Sequence, residues 1–428
     1  MSPRIARSVI AGAAAVACVL TAAIVAGPSQ AVPEVGRDAD VVREWNAIAV
    51  RTISTENAAP VPASPLYFAY TSIAMHDAVA AIEGDFETYV QQPRAQAHAS
   101  PEVAAATAAY RVLRHYFPAS AANLDADYAA FLADVPNGVG KVHGTRVGLA
   151  SADAIIAARA GDDLTTVHPI EVEPGIGVWE PTPPGFAPMA VSWLGFVTPF
   201  VLESSTAIPL PGPDPVDSAE YAVDYDEVKA KGALNGSTRT GDETATALFW
   251  STPVGPVVQY NMAMQTETAE RGLDIGETAR AFALLDTSIA DANISCWYAK
   301  WSYAYWRPVT AIRTADDGNA ATQPDAAWTP LVTTPPYPDY TSGHACVSGS
   351  ASGAFGHLFG ADTIDIDVPS TVQGRPDRHF ATSTALDTET MNARIWLGLH
   401  FRQAMTDGNM LGHAAADAVV SGAFVPLD

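Results

Sequence analysis

The longest helical pattern in the chain, IGETARAFALLDTSIADANISCWYAKWSYAYW (275–306), closes on an aromatic run with a cation at each end. Lys300 precedes WSYAYW (301–306), which is four aromatics, a serine and an alanine; Arg307 follows it. Rings in that number drive a segment into a core. They take an ammonium and a guanidinium with them, and a buried cation needs an anion beside it. The length of 275–306 suggests two helices. Lys300 and Arg307 stand seven positions apart, about two helical turns, so both are expected on one face, with Pro308 ending the helix. The competing reading is a solvated basic stripe, which the aromatic surroundings oppose.

The rest of the chain is mostly helical in pattern too. LYFAYTSIAMHDAVAAI (66–82) carries apolar residues at helical spacing, and PEVAAATAAYRVLRHYF (101–117) lies between Pro101 and Pro118. In 139–163, Gly144, Gly148 and Ala152 fall four apart, a smooth stripe that a second helix can approach. SAEYAVDYDEVKAKGA (218–233) and DETATALFW (242–250) continue the pattern. The proline-rich stretch 164–216 reads as a covering segment, because Trp179, Trp193 and Phe200 need burial. Only ADTIDIDV (361–368) hints at strand. The expected fold is all-α, with two helical lobes built like four-helix bundles, 38–205 and 216–428.

Residues 1–31 have the form of a secretory signal: Arg4 and Arg7, an apolar run over 9–26, and PSQA (28–31) with a small-x-small end. A membrane anchor is the alternative, for which the run is short. The formal net charge is −24, and residues 1–31 hold two arginines and no acid, so the remainder is more acidic still. Such a balance argues against nucleic-acid binding and suits a soluble extracellular protein. Cys296 and Cys346, the two cysteines outside the signal, could pair in an oxidising compartment.

Two further segments match the cations. PPYPDYTSGHAC (335–346) runs from a rigid proline approach into Ser342, Gly343 and His344. If a helix begins there, its free N–H groups, the bare glycine backbone and the hydroxyl favour an anion, and the imidazole can move a proton. Taken alone, Ser342 reads first as a plain N-cap. NARIWLGLHFRQAMTDG (392–408) brings Arg394 and His400, six apart, which on a straight helix point about 120° apart. Either the backbone is irregular at Gly398, or the two reach a site from different depths.

The order and spacing of KWSYAYWRP (300–308), TSGH (341–344) and ARIWLGLH (393–400) resemble the vanadium-dependent haloperoxidases and the wider type 2 phosphatidic acid phosphatase superfamily, whose pattern is K-x6-R-P, P-S-G-H and S-R-x5-H-x3-D. MHDAVAAI (75–82), ATAAYRVLRHYFP (106–118), STRTGDETATALFW (237–250) and YWRPVTAIR (305–313) look like the bacterial haloperoxidase-like branch. The resemblance implies that Lys300, Arg307 and Arg394 neutralise the oxygens of vanadate or phosphate, with hydrogen bonds from Ser342 and the Gly343 N–H. It makes His400 the axial ligand to vanadium, or a nucleophile toward phosphorus, and His344 the acid–base group. Trp297 and Tyr337 would line the halide side. The implied function is a secreted, vanadate-dependent oxidation of halide by hydrogen peroxide. A secreted acid phosphatase with a phosphohistidine intermediate and a non-catalytic oxyanion-binding protein are the alternatives. Expected partners are small molecules: peroxide, halide, and an organic acceptor or phosphate ester. Three positions depart from the pattern: Thr341 for proline, Ala393 for serine, and Ala404 for the aspartate four after His400. The last leaves His400 without its expected partner: Asp407, two turns on, lies on the same face but too far along the axis for an easy direct bond, and a backbone carbonyl could fill the place. Asp242 or Glu243 is expected to pair with a buried arginine.

Overall fold

The helices start where capping chemistry directs. Ser100 Oγ accepts from Val103 N–H to open the helix that begins at Pro101, and Thr240/Glu243 and Asp274/Glu277 close reciprocal capping boxes on the helices that begin at Gly241 and Ile275. In chain order the helices are α1 Arg37–Val50, α2 Ser64–Glu83, α3 Pro101–Tyr116, α4 Ala121–Asp134, α5 Val139–Ala158, α6 Ala219–Gly232, α7 Gly241–Phe249, α8 Pro256–Glu270, α9 Ile275–Tyr303, α10 Pro308–Arg313, α11 Gly343–Phe359, α12 Ser383–Trp396 and α13 Arg402–Gly422. This computed structural model describes residues 37–92 and 94–427, so the expected signal lies outside it. The all-α class holds. Among the described residues one two-stranded ribbon, β1 Ile366–Val368 against β2 Arg378–Phe380, joins the helices, its first strand where the sequence hinted at one.

Residues 275–303 form one helix of 29 residues, not two. After Gly276 no proline or glycine interrupts it, and it ends only where Ala304 turns left-handed at φ 44°. Nearly every side chain from Ala281 to Trp297 is buried, so α9 is a central pillar, covered on all faces. Residues of α2, α3, the covering segment, α9 and α13 share one core, including Leu66, Ala104, Trp193, Leu284, Ile294 and Leu411. The stripe on α5 meets α3: a Cβ at Gly148 would lie 2.4 Å from the Ala104 carbonyl oxygen. The same device brings α13 onto α11, where a Cβ at Gly412 would lie 2.4 Å from the Cys346 carbonyl oxygen.

The covering segment is tied down as its aromatics require. Trp179, Trp193 and Phe200 are buried. Asp291 of α9 accepts the backbone N–H groups of Phe200, Val201 and Leu202 at 2.6, 2.8 and 2.9 Å. Within the described residues no helix is long and apolar enough to cross a membrane.

Candidate functional site

The last turns of α9 deliver Trp297 and Lys300. The chain then leaves the helix, and Arg307 arrives as the N-cap residue of α10. The expectation of one helical face fails here: Pro308 begins a helix at N1, where its missing N–H costs nothing, and a loop rather than two helical turns sets the spacing. Ser342 caps α11, and Gly343 and His344 occupy its first turn. Arg394 lies in the last turn of α12; Gly398, at φ 78°, then breaks the backbone as expected and leaves His400 in the link to α13. Only glycine fits there, because a Cβ would lie 2.6 Å from the Gly232 carbonyl oxygen.

The structure brings the three cations together inside the protein. Lys300 and Arg307 are 0% exposed and Arg394 is 3% exposed. Lys300 Nζ lies 5.1 Å and Arg307 Cζ 5.0 Å from the centre of the same Tyr337 ring. Arg307 donates from Nε to the Tyr337 carbonyl and from Nη1 to the Leu399 carbonyl, both at 2.7 Å. Its Nη2 is buried with no partner, and so is Arg394 Nε. Among the described residues the Arg394 side chain has no hydrogen bond or ion pair. Asp242 is exposed, and Glu243 is held by Lys231 at 2.8 Å, so neither pairs with these arginines. Lys300 is spent differently. Its ammonium donates to the carbonyls of Pro338 at 2.8 Å and Asp339 at 3.0 Å, and also to that of Thr341, clamping the loop ahead of Ser342.

Burial, with the neighbouring positive charge adding to it, controls the titratable groups. Burial pulls Lys300 down to about 8 and Arg394 to about 10. Burial first, and then the neighbouring cations, hold His344 and His400 well below the usual imidazole range, so both rings are neutral. His344 Nε2 lies 3.2 Å from the Trp250 carbonyl oxygen. Ser342 Oγ caps the Ala345 N–H at 3.5 Å, and Gly343 lies under the Trp297 ring, where a Cβ would come within 2.9 Å of an indole carbon. Trp297 is fixed from behind by its Nε1–H bond to the Ala190 carbonyl at 3.2 Å, and it packs 5.0 Å from Tyr337. Trp297, Tyr337, Gly343 and His344 share a cleft with Val61, Pro62, Pro256 and Val257. Cys296 and Cys346 are buried free thiols, each 3.4 Å from Thr341 Oγ1.

The residue that sequence reasoning missed is Asp339. It is wholly buried, with a carboxylate oxygen 2.9 Å from His400 Nδ1 and 3.7 Å from Arg307 Nη1. Asp407 is engaged elsewhere, accepting from the Tyr340 hydroxyl at 2.8 Å, and so does not serve His400.

Buried guanidinium nitrogens without protein partners, a helix N-terminus and a neutral imidazole therefore converge, a donor set that fits a tetrahedral oxyanion. The family model for the second helical-bundle domain of vanadium chloroperoxidase matches residues 280–425, which hold all of these groups. The vanadium chloroperoxidase of Curvularia inaequalis is 28% identical over 230 residues, 40% of this chain; the match spans 37% of that relative's length. Among solved structures, a bacterial vanadium-dependent iodoperoxidase superposes with a TM-score of 0.76 at 24% identity, over 91% of this chain and 97% of its own. A holo-type bacterial vanadium-dependent chloroperoxidase does so with 0.67 at 16% identity, over 84% and 91%. Residues 280–425 thus match the second helical-bundle domain of vanadium chloroperoxidase, and the chain shares the fold of the bacterial vanadium-dependent haloperoxidases.

Proposed function

We propose that this chain is a secreted, vanadate-dependent haloperoxidase that uses hydrogen peroxide to oxidise halide. The observation that carries the reading is the pair of unpartnered buried nitrogens, Arg307 Nη2 and Arg394 Nε, beside a neutral His400. Leaving such groups dry and unpaired costs stability, and a bound oxyanion repays that cost.

Arg307 and Arg394 would bind the oxyanion's oxygens, with the Gly343 N–H and Ser342 adding donors at the start of α11. His400 would present Nε2 to the bound group. Lys300 contributes charge and, through its three carbonyl bonds, the shape of the loop that presents Ser342 to His344. Vanadate held there supplies the Lewis acidity that activates peroxide toward halide. His344, neutral and at the cleft, can take a proton from incoming peroxide and return it to the departing water. Trp297 and Tyr337 wall the cleft with oxidant-facing aromatic surface and exclude bulk water. The mostly apolar mouth, Val61, Pro62, Pro256 and Val257, suits a halide and an uncharged acceptor better than a phosphomonoester dianion.

Purified protein lacking residues 1–31, assayed with and without vanadate, tests the reading. Peroxide- and vanadate-dependent halogenation of an organic acceptor is expected. Cleavage of phosphate esters that vanadate inhibits, without halogenation, would overturn it in favour of a phosphatase. Export is tested by the N-terminal sequence of protein recovered from the medium, which should begin at Val32.

A further inference from the structure

His400 needs a partner on Nδ1. Helix α13 provides none, since Ala404 stands four residues on and Asp407 is taken by Tyr340. We infer that Asp339, from the loop ahead of α11, is the positioning residue for His400, supplying from another element the carboxylate that α13 lacks. The inference rests on the proposed role of His400 Nε2 at the oxyanion.

The geometry favours one arrangement of protons. A guanidinium only donates, and Arg307 Nη1 lies 3.0 Å from His400 Nε2 and 3.4 Å from Nδ1, so the nearer nitrogen presents its lone pair. The ring proton then belongs on Nδ1, 2.9 Å from an Asp339 oxygen; that buried carboxylate has no hydrogen-bond partner in this geometry, so the His400 N–H is the donor at hand. A carboxylate on the far nitrogen fixes both tautomer and ring orientation, which any ligand bond from Nε2 requires. Asp339 is itself held in place. Its N–H donates to the Tyr305 carbonyl at 2.9 Å, Lys300 binds its main-chain oxygen at 3.0 Å, and Arg307 lies 3.7 Å from its carboxylate. One short loop thus carries the orienting carboxylate at 339, the hydroxyl at 342 and the acid–base imidazole at 344. Asp339 and Ala404 line the same small cavity with Tyr305 and Phe401, so a carboxylate grown from position 404 would enter the space that Asp339 serves.

The test uses Asp339→Ala, the nearly isosteric Asp339→Asn in case the first fails to fold, and the double variant Asp339→Ala/Ala404→Asp. Two readouts are taken on the protein without added metal and then with vanadate alone: 15N NMR of labelled histidines, with His400→Gln for assignment, and equilibrium binding of vanadate. In the parent, His400 should carry its proton on Nδ1. In Asp339→Ala that preference should be lost and vanadate should bind about 10- to 100-fold more weakly. Asp339→Asn should weaken binding less, because an amide oxygen still accepts, and the double variant should recover part of the loss. An unchanged tautomer, or vanadate affinity equal to the parent's in both single variants, overturns the inference. A parent that binds no vanadate overturns the proposed function instead, and the tautomer measurement still decides the role of Asp339.

Discussion

Arg394 carries a charge that the folded protein alone does not use. It is buried, it has no carboxylate among the described residues, and burial pulls its pKa to about 10. Replacing an uncompensated buried charge by an apolar group of similar length removes a desolvation cost. Arg394→Met should therefore raise thermal stability in the absence of ligand, by about 1 kcal/mol or more, while vanadate binding is lost. Calorimetric melts with and without vanadate check both; a variant less stable than the parent without ligand would mean that Arg394 is structural. Gly343 makes the complementary case. A Cβ there would lie 2.9 Å from the Trp297 ring, so Gly343→Ala should cost about 1–3 kcal/mol. Shrinking the ring in Gly343→Ala/Trp297→Phe should return most of it, as denaturant midpoints would reveal. At this scale the sequence exposed the residues whose type and spacing are rigid: Lys300, Arg307, Ser342, Gly343, His344, Arg394 and His400. It hid Asp339, because the contact with His400 spans two separate connections between helices and no spacing rule links them.

Among the elements, α9 sets the frame. The sequence shows its helicity but not its unity: WSYAYW looks like a continuation, whereas the helix ends at Tyr303 and the remaining aromatics belong to a turn. Burial on all faces erases the amphipathic period that would have marked its register. Its buried acids were likewise silent in the sequence. Asp291 fastens the covering segment, and Asp286 accepts from Asn261 Nδ2 at 2.8 Å and from the Ser72 hydroxyl. Burial lifts Asp286 to about 7, with Ser72 and Asn261 pulling the other way. A carboxyl whose folded pKa stands above its unfolded value near 4 holds its proton longer in the native state. Stability therefore falls as pH rises from about 4 to about 7 and levels beyond. Asp286→Asn keeps an acceptor for Asn261 and a donor toward Ser72, so it should flatten part of that slope. It should exceed the parent at pH 8 by an amount on the order of 2 kcal/mol and match it near pH 4. Parallel slopes in the two proteins would show that Asp286 is ionised throughout.

Across the whole molecule, an acidic surface encloses a cationic centre. The chain has 47 acidic and 23 basic residues, yet three of the basic ones are withdrawn into one buried site. The all-helical class and the three-part motif were legible because helical period and local spacing are properties of short segments. How the helices share a core was not, because packing of α2 against α9 depends on contacts about two hundred residues apart, such as Ser72 to Asp286. The central claim is that Arg307, Arg394, the start of α11 and His400 close around a single oxyanion. Equilibrium dialysis of vanadate against the purified protein tests it most directly. One saturable site per chain, displaced by phosphate and abolished in Arg307→Ala and His400→Ala, is the predicted result. No saturable binding, or undiminished binding in those variants, would contradict it.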